Sequence, residues 1–209
     1  MAQLFHITHV SNLVGIIGSK GLVSSNQISR NSGPNTNIGH YHIKERRSTK
    51  MVPVAPGGFV ADYVPFYFAP RSPMLYSIHK GNVQQYQNGQ REIIYLVTDS
   101  DLIFSSQCQY CFCDGHATME ITKFYNSPDS LADAIDWEIM QAQYWNNTDN
   151  DTDRTRRRAA EFLVKDFLPF NLIQEISTYD IIIKSDVDAI LAANGICGIQ
   201  VTVKTSWYY

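Results

Sequence analysis

Three short segments hold side chains that can position and polarise a small polar substrate. In Leu4-Phe5-His6-Ile7-Thr8-His9 the alternation of a strand puts His6 and Thr8 on one face and their neighbours on the other. Phe66-Tyr67-Phe68-Ala69-Pro70-Arg71-Ser72-Pro73-Met74-Leu75-Tyr76 reads as a strand ending in aromatics, then a turn, then a helix capped by Ser72 and carrying Tyr76. Ala160-Glu161-Phe162-Leu163-Val164 places a carboxylate at the head of an apolar run. An imidazole supplies directed hydrogen bonds, an aromatic face stacks on a flat leaving group, and a fixed anion stabilises a developing positive centre. Each also has an ordinary reading: a hydrogen-bonded strand histidine, a core tyrosine, an exposed glutamate. Singly, none decides the chemistry.

Two basic clusters flank these segments. Lys44, Arg46, Arg47 and Lys50 form one, and Arg154, Arg156, Arg157 and Arg158 the other, just before Glu161. Either can attract a polyanion. The second can equally pair with Asp149, Asp151 and Asp153 on a helix surface. Tyr41, Tyr144 and Trp145 are available as stacking platforms for unpaired bases, with Trp145 equally suited to a core. Cys108, Cys111 and Cys113 have metal-ligand spacing without an obvious fourth ligand, since His116 lies beyond Asp114-Gly115. They are expected to be reduced thiols, and no metal is expected.

The elements that must hold these groups alternate in type. Strands are expected over Leu4–Val10, Glu92–Thr98, Thr118–Tyr125, Asn171–Tyr179 and Ile199–Lys204. Helices are expected over Asn12–Gly18 with Ser11 as cap, Ser72–His79 and Leu131–Trp145. Arg154–Phe167 fits a helix, or a helix then a strand. Ser24–His40 is polar and reads as a long functional loop, Ile43–Lys50 as a short basic segment, Val52–Gly58 as turns, and Phe59–Phe68 as buried. Short strands mixed with helices indicate an α+β fold, in one domain spanning 1–209. With 44% apolar residues the chain can build a sizeable core, and its net charge of −3 gives no global attraction to nucleic acid. The polar start Met1-Ala2-Gln3 runs directly into the first strand, and no apolar run approaches a membrane span. A soluble, cytoplasmic protein without membrane contact is the expectation.

Together the three segments resemble the His–Tyr–Glu arrangement of ADP-ribosyltransferases, and Tyr67-Phe68-Ala69 with Ser72 and Tyr76 resembles the corresponding run of poly(ADP-ribose) polymerases. The resemblance is more specific still to the DarT family, DNA ADP-ribosyltransferase toxins of a toxin–antitoxin system. It is carried by His6-Ile7-Thr8-His9, Ile43-Lys44-Glu45-Arg46-Arg47, Pro56-Gly57-Gly58, and Asp62-Tyr63-Val64-Pro65-Phe66-Tyr67-Phe68. Arg71 to Tyr76, Asp114-Gly115-His116, Ile135-Asp136-Trp137, Ala160 to Val164 and Trp207-Tyr208-Tyr209 continue it along nearly the whole chain.

This resemblance implies a split, antiparallel central sheet with flanking helices and NAD⁺ as co-substrate. It implies transfer of ADP-ribose to a base in single-stranded DNA, thymine N3 in this branch, with loss of nicotinamide and a block to replication. Glu161 and Arg47 would be catalytic, the arginine polarising the thymine. His6, Thr8, Tyr67, Ser72 and Tyr76 would bind NAD⁺. Lys44, Arg46, His116, Arg154 and Arg157 would meet DNA. A DarG-like macrodomain antitoxin would be the partner. Classification among both glycosyltransferases and nucleotidyltransferases follows from the same likeness. The family often has glutamine where Ala159 stands, which bears on how the substrate loop recognises sequence. Guanine, RNA or protein acceptors, an NAD⁺-dependent RNA 2′-phosphotransferase, and a non-catalytic NAD⁺-binding module are the alternatives.

Overall fold

The computed structural model describes residues 1–30 and 35–209. The first half of the chain forms β1 (Gln3–His9), α1 (Leu13–Gly18), β2 (Gly21–Val23), α2 (Ser25–Arg30), α3 (Tyr41–Thr49), β3 (Tyr63–Tyr67), α4 (Pro73–His79), β4 (Ile93–Asp99) and α5 (Ser100–Phe104). After these come β5 (Tyr110–Cys113), β6 (Phe124–Tyr125), α6 (Leu131–Ala134), α7 (Trp137–Gln141), α8 (Arg154–Arg158), β7 (Glu161–Lys165), β8 (Phe167–Pro169), β9 (Glu175–Thr178), α9 (Ile181–Ala193) and β10 (Gln200–Val203).

Eight strands make one sheet in the order β10-β9-β4-β1-β3-β7-β5-β6, antiparallel except for the β10–β9 pair. The fold is α+β, as the alternation of elements indicates. β1 pairs with β4 from Gln3↔Asp99 to His9↔Ile93, yet meets β3 at one register pair, Phe5↔Tyr67. The sheet is therefore split between β1 and β3, and the opening is edged by His6 and Pro65. A hydrogen bond of 2.8 Å from His6 Nδ1 to the Pro65 carbonyl spans it. A proline suits this edge, because β3 needs no ladder donor where its partner has diverged.

One side of the sheet carries a continuous core in which Leu4, Phe66, Leu96, Phe112 and Phe162 pack against Leu131, Ile139, Val187 and Leu191. The opposite side divides into two clusters. One packs Phe5, Ile7 and Tyr95 on Leu75 and Ile78 of α4; the other packs Tyr63, Cys111, Cys113 and Leu163 on Val52 and Val60. β2 and β8 form a small second sheet. Their close approach needs Gly21, where a Cβ would run into the Leu168 carbonyl.

Several expectations are corrected. Ser25–Arg30 of the expected 24–40 loop is helical, because the Ser24 carbonyl accepts from Gln27 and Ile28, and the 31–34 part lies outside the described residues. The short basic segment Ile43–Lys50 is helical up to Thr49, as part of α3, with Lys50 its extended C-cap. Ser11 does not cap α1; a short 3-10 turn over Val10–Asn12 precedes it, capped by His9. The single helix over Leu131–Trp145 is two, because Ile135 is extended and Asp136 starts a new helix by accepting from Ile139 N–H at 3.0 Å. Thr118–Tyr125 is mostly turn: Met119 N–H and the Thr122 hydroxyl both bond the His116 carbonyl, leaving Phe124–Tyr125 as strand. Arg154–Phe167 resolves as helix then strand.

The arginines of α8 are mostly structural. Arg158 is 4% exposed and donates to the carbonyls of Ile139, Met140 and Pro70, each at 2.7 Å. Burial lowers its pKa without a carboxylate to oppose it. Arg156 forks onto Asp153 and reaches Asp114 at 2.9 Å. Arg158→Met should lower the unfolding free energy by about 3 kcal/mol, since the buried carbonyls lose their donor. Arg154→Ala, whose guanidinium meets the Tyr144 and Asn146 carbonyls near the surface, should cost about 1 kcal/mol or less. Urea denaturation of both variants checks this, and equal stabilities would show that Arg158 is not the clamp.

Candidate active site

The split in the sheet opens into a cleft of about 260 Å³ whose walls include His6, Thr8, Asn12, Thr36, Lys44 and Tyr67. At one side of it a single register row crosses four strands: Phe5 pairs with Tyr67, Tyr67 with Glu161, and Glu161 with Cys113. The strand-terminal tyrosine and the first residue of β7 are thus cross-strand neighbours, about 5 Å apart at Cα.

Glu161 is 3% exposed, and both its oxygens are engaged. Oε2 accepts from Arg47 Nη1 at 2.7 Å, and Oε1 from the Ala117 backbone N–H at 3.1 Å. A carboxylate this deep is tolerated because it is paired and hydrogen-bonded. Burial works against the Arg47 charge, but the Glu161 carboxylate outweighs it and raises the guanidinium pKa. Arg47 Nη2 is buried without a hydrogen-bond partner. Burial, then the Glu161 charge, raises the Tyr67 pKa, so the ring stays a neutral phenol.

The Ala117 donor sits on a loop, residues 114–122, wrapped over Glu161. Arg156 organises its start through Asp114, and Gly115 is required there because a Cβ would collide with the Arg156 guanidinium. Arg46 Nη2 donates to the Thr118 carbonyl at 2.9 Å and Lys50 pairs with Glu120 at 2.9 Å, tying α3 to the same loop. His116 turns Nδ1 toward the Thr118 hydroxyl, 3.1 Å away. Its pKa is lowered by burial and by Arg47 and Arg46, against the pull of Glu161.

On the cleft's other wall, burial pushes the His6 imidazole down to about 4 despite its bond to Pro65. A carbonyl can only accept, so Nδ1 carries the proton and Nε2 is left as an acceptor. The side chain of Asn12 bonds the Thr8 hydroxyl and both backbone groups of Thr36, fastening the 35–39 segment to β1.

A family model described as "ssDNA thymidine ADP-ribosyltransferase, DarT" matches residues 5–209. A DNA ADP-ribosyl transferase of Thermus aquaticus is 39% identical over 207 residues, covering 99% of this chain and 88% of the relative. Thermus sp. 2.9 DarT in complex with ADP-ribosylated ssDNA superposes with a TM-score of 0.92 at 37% identity, covering 100% of this chain and 96% of that one. The same protein in complex with NAD⁺ gives 0.88 at 34% identity, covering 100% and 98%. The chain belongs to the DarT family.

DarT chemistry transfers ADP-ribose, so the bond made and broken is at a ribose C1′ and not at a phosphate. The family is therefore a glycosyltransferase family, which corrects the expected second classification as a nucleotidyltransferase. Of the residues singled out in the sequence, the DarT fold brings His6, Thr8, Tyr67 and Lys44 to the cleft and joins Glu161 to Arg47. Ser72 is 1% exposed and accepts from Leu75 N–H as the cap of α4. Tyr76 packs edge-on against Trp145 and Tyr209. Neither lines the cleft. Arg157 is enclosed by Asp136, Asp151 and Asp153, whereas Arg154 meets only carbonyls. Tyr41 and Tyr144 are exposed, and Trp145 is partly buried with its indole N–H on the Tyr209 hydroxyl. The thiols of Cys108, Cys111 and Cys113 are free, and burial pushes Cys111 up to about 12. Among the described residues no group of three or more His, Cys, Asp or Glu is placed to hold a metal ion, and no helix is long and apolar enough to cross a membrane.

Sequence reasoning missed Asn12 and Ala117. Asn12 had a signal, being a polar side chain just after the strand that carries His6. Ala117 contributes only its backbone, which no side-chain pattern reveals.

The depressed His6 pKa has a stability consequence. Below about pH 6.5 the unfolded chain binds a proton at this position that the folded chain refuses until about pH 4. Stability attributable to His6 is present above that window and falls as pH drops through it. Between pH 7.5 and 4 the stability margin of wild type over His6→Gln, read by thermal melts, should shrink by about 3 kcal/mol. Parallel pH profiles would show that His6 is not the group responsible.

Proposed function

We propose that this enzyme transfers ADP-ribose from NAD⁺ to N3 of thymine in single-stranded DNA. The observation carrying the reading is the buried Arg47–Glu161 pair, cross-strand from the cleft-lining Tyr67, with one guanidinium nitrogen left unpartnered. The residues in the cleft and beside it fit the co-substrate. His6 offers Nε2 to a ribose hydroxyl, Tyr67 offers a neutral ring to the nicotinamide, and Glu161 fixes a carboxylate where positive charge develops at C1′ as nicotinamide leaves. Ser72 and Tyr76 support this wall from behind, through the α4 cap and the aromatic packing.

The acceptor must lose a proton from N3, an acid of roughly phenolic strength. Arg47 Nη2 is the free donor able to hold a thymine carbonyl and stabilise the anion, and it stays protonated throughout. The C1′–nicotinamide bond breaks, the C1′–N3 bond forms, and the N3 proton is released to solvent. N3 lies on the pairing edge, so the base must be unpaired, and once modified it cannot template replication. Growth inhibition on expression follows, as does removal of the mark by a DarG-like macrodomain partner. DNA approaches over α3, with Arg46 and the exposed Tyr41, while His116 lies near the base and Arg154 and Arg157 border the preceding loop.

The test is mass spectrometry of single-stranded oligonucleotides incubated with protein and NAD⁺, one strand lacking thymine and one lacking guanine. One ADP-ribose is expected on thymine-containing strands only, at a rate reduced about a thousandfold or more in Glu161→Gln, whose amide oxygen still accepts from Ala117. Labelling that follows guanine would reassign the base. Nicotinamide release without labelled DNA would reassign the acceptor.

A further inference from the structure

We propose that Lys44 binds the diphosphate of NAD⁺ and so makes this cleft selective for a nucleoside diphosphate over the bare nucleoside. The inference rests on the NAD⁺ reading of the cleft and gives Lys44 a role on the co-substrate side instead of the DNA side. A nucleoside diphosphate brings two adjacent anionic groups into the cleft, and a site that takes it needs a cation or a dense set of donors. Among the described cleft-lining side chains, the lysines and arginines are represented by Lys44 alone. His6 is neutral, and Asn12 spends its amide on Thr8 and Thr36.

The position of Lys44 fits that task. It lies three residues before Arg47 on α3, so the two cations project from the same side of the helix one turn apart, about 5 Å along the axis. Arg47 marks the catalytic end through Glu161. One turn away is comparable to the span of a ribose between C1′ and its 5′-phosphate. The lysine stem passes over Gly39, where a Cβ would stand 3.6 Å from Lys44 Cε, beside Met74 and Asn37. Lys44 also carries an electrostatic load: its pKa is lowered by desolvation and then by the neighbouring Arg47 charge. The charge of a bound dianion offsets both costs, which a neutral ligand cannot do.

Isothermal titration of wild type, Lys44→Met and Lys44→Arg with ADP, adenosine and a thymine-containing single-stranded oligonucleotide tests the assignment. Wild type should bind ADP tighter than adenosine. Lys44→Met should weaken ADP about tenfold while adenosine and the oligonucleotide stay within about two-fold, and Lys44→Arg should recover most of the ADP affinity. Unchanged adenosine binding shows that the variant is folded. An ADP-to-adenosine ratio equal to wild type in Lys44→Met overturns the proposal, as does loss of oligonucleotide affinity with ADP binding intact, which would put Lys44 on the DNA. ADP that neither binds wild type nor competes with NAD⁺ for turnover would overturn the co-substrate reading of the cleft along with it.

Discussion

The ion pair between Arg47 and Glu161 joins positions 114 residues apart in the chain, at the meeting point of α3, β7 and the 114–122 loop. Removing a carboxylate from water costs several kcal/mol, and an isolated one would take up a proton. Three features offset that cost: the guanidinium at 2.7 Å, the Ala117 N–H at 3.1 Å, and the loop that keeps both in place. That loop in turn depends on Arg156, which holds Asp114 and passes so close to Gly115 that a side chain there is excluded. Of the basic stretch before Glu161, Arg156 is thus spent on the enclosure of this anion.

The cleft has an equally local origin. β1 gives all of its hydrogen-bonding length to β4 and touches β3 at a single register pair. Two hydrophobic clusters on one side of the sheet, instead of one, follow from the same divergence. A sheet opened in this way exposes backbone polar groups, and the protein satisfies them with side chains that also define the pocket. The His6 imidazole serves the Pro65 carbonyl, and the Asn12 amide serves Thr36. The interaction that closes the backbone account at Pro65 also fixes the tautomer that His6 presents to a ligand.

What was legible in the sequence divides along the range of the interactions. The strand of His6 and the Ser72-Pro73 helix start are set by alternation and capping within a few residues, and they stand where the pattern puts them, whereas the strand opened by Glu161 was one of two readings its continuous apolar run allowed. The 118–125 segment looked like a strand because its residues are threonine, isoleucine and aromatics. Its turns are closed by bonds onto the His116 carbonyl and braced by the distant Arg46 and Arg156, which no local pattern contains. α9 was missed, although Asp180 caps it and Ile183, Val187 and Leu191 recur every four residues; the β-branched run Ile181-Ile182-Ile183 obscured that period. For the site, the residue types were readable but their pairing was not. Arg47 and Glu161 could be named from family likeness, and only the fold shows that they touch. Arg154 to Arg158 look alike in sequence, yet one faces carbonyls at the surface, two face carboxylates and one is sealed in the core.

α3 shows how the geometry of the site and the placement of a helix depend on the same contacts. None of its residues is buried, so hydrophobic burial contributes little to its placement. What locates it is polar: Arg47 on Glu161, Arg46 on the Thr118 carbonyl, and Lys50 on Glu120. The last of these is solvent-exposed on the glutamate side and contributes little. The Glu161 carboxylate is therefore both the anion of the site and the main anchor of the helix that brings Lys44, Arg46 and Arg47 to it.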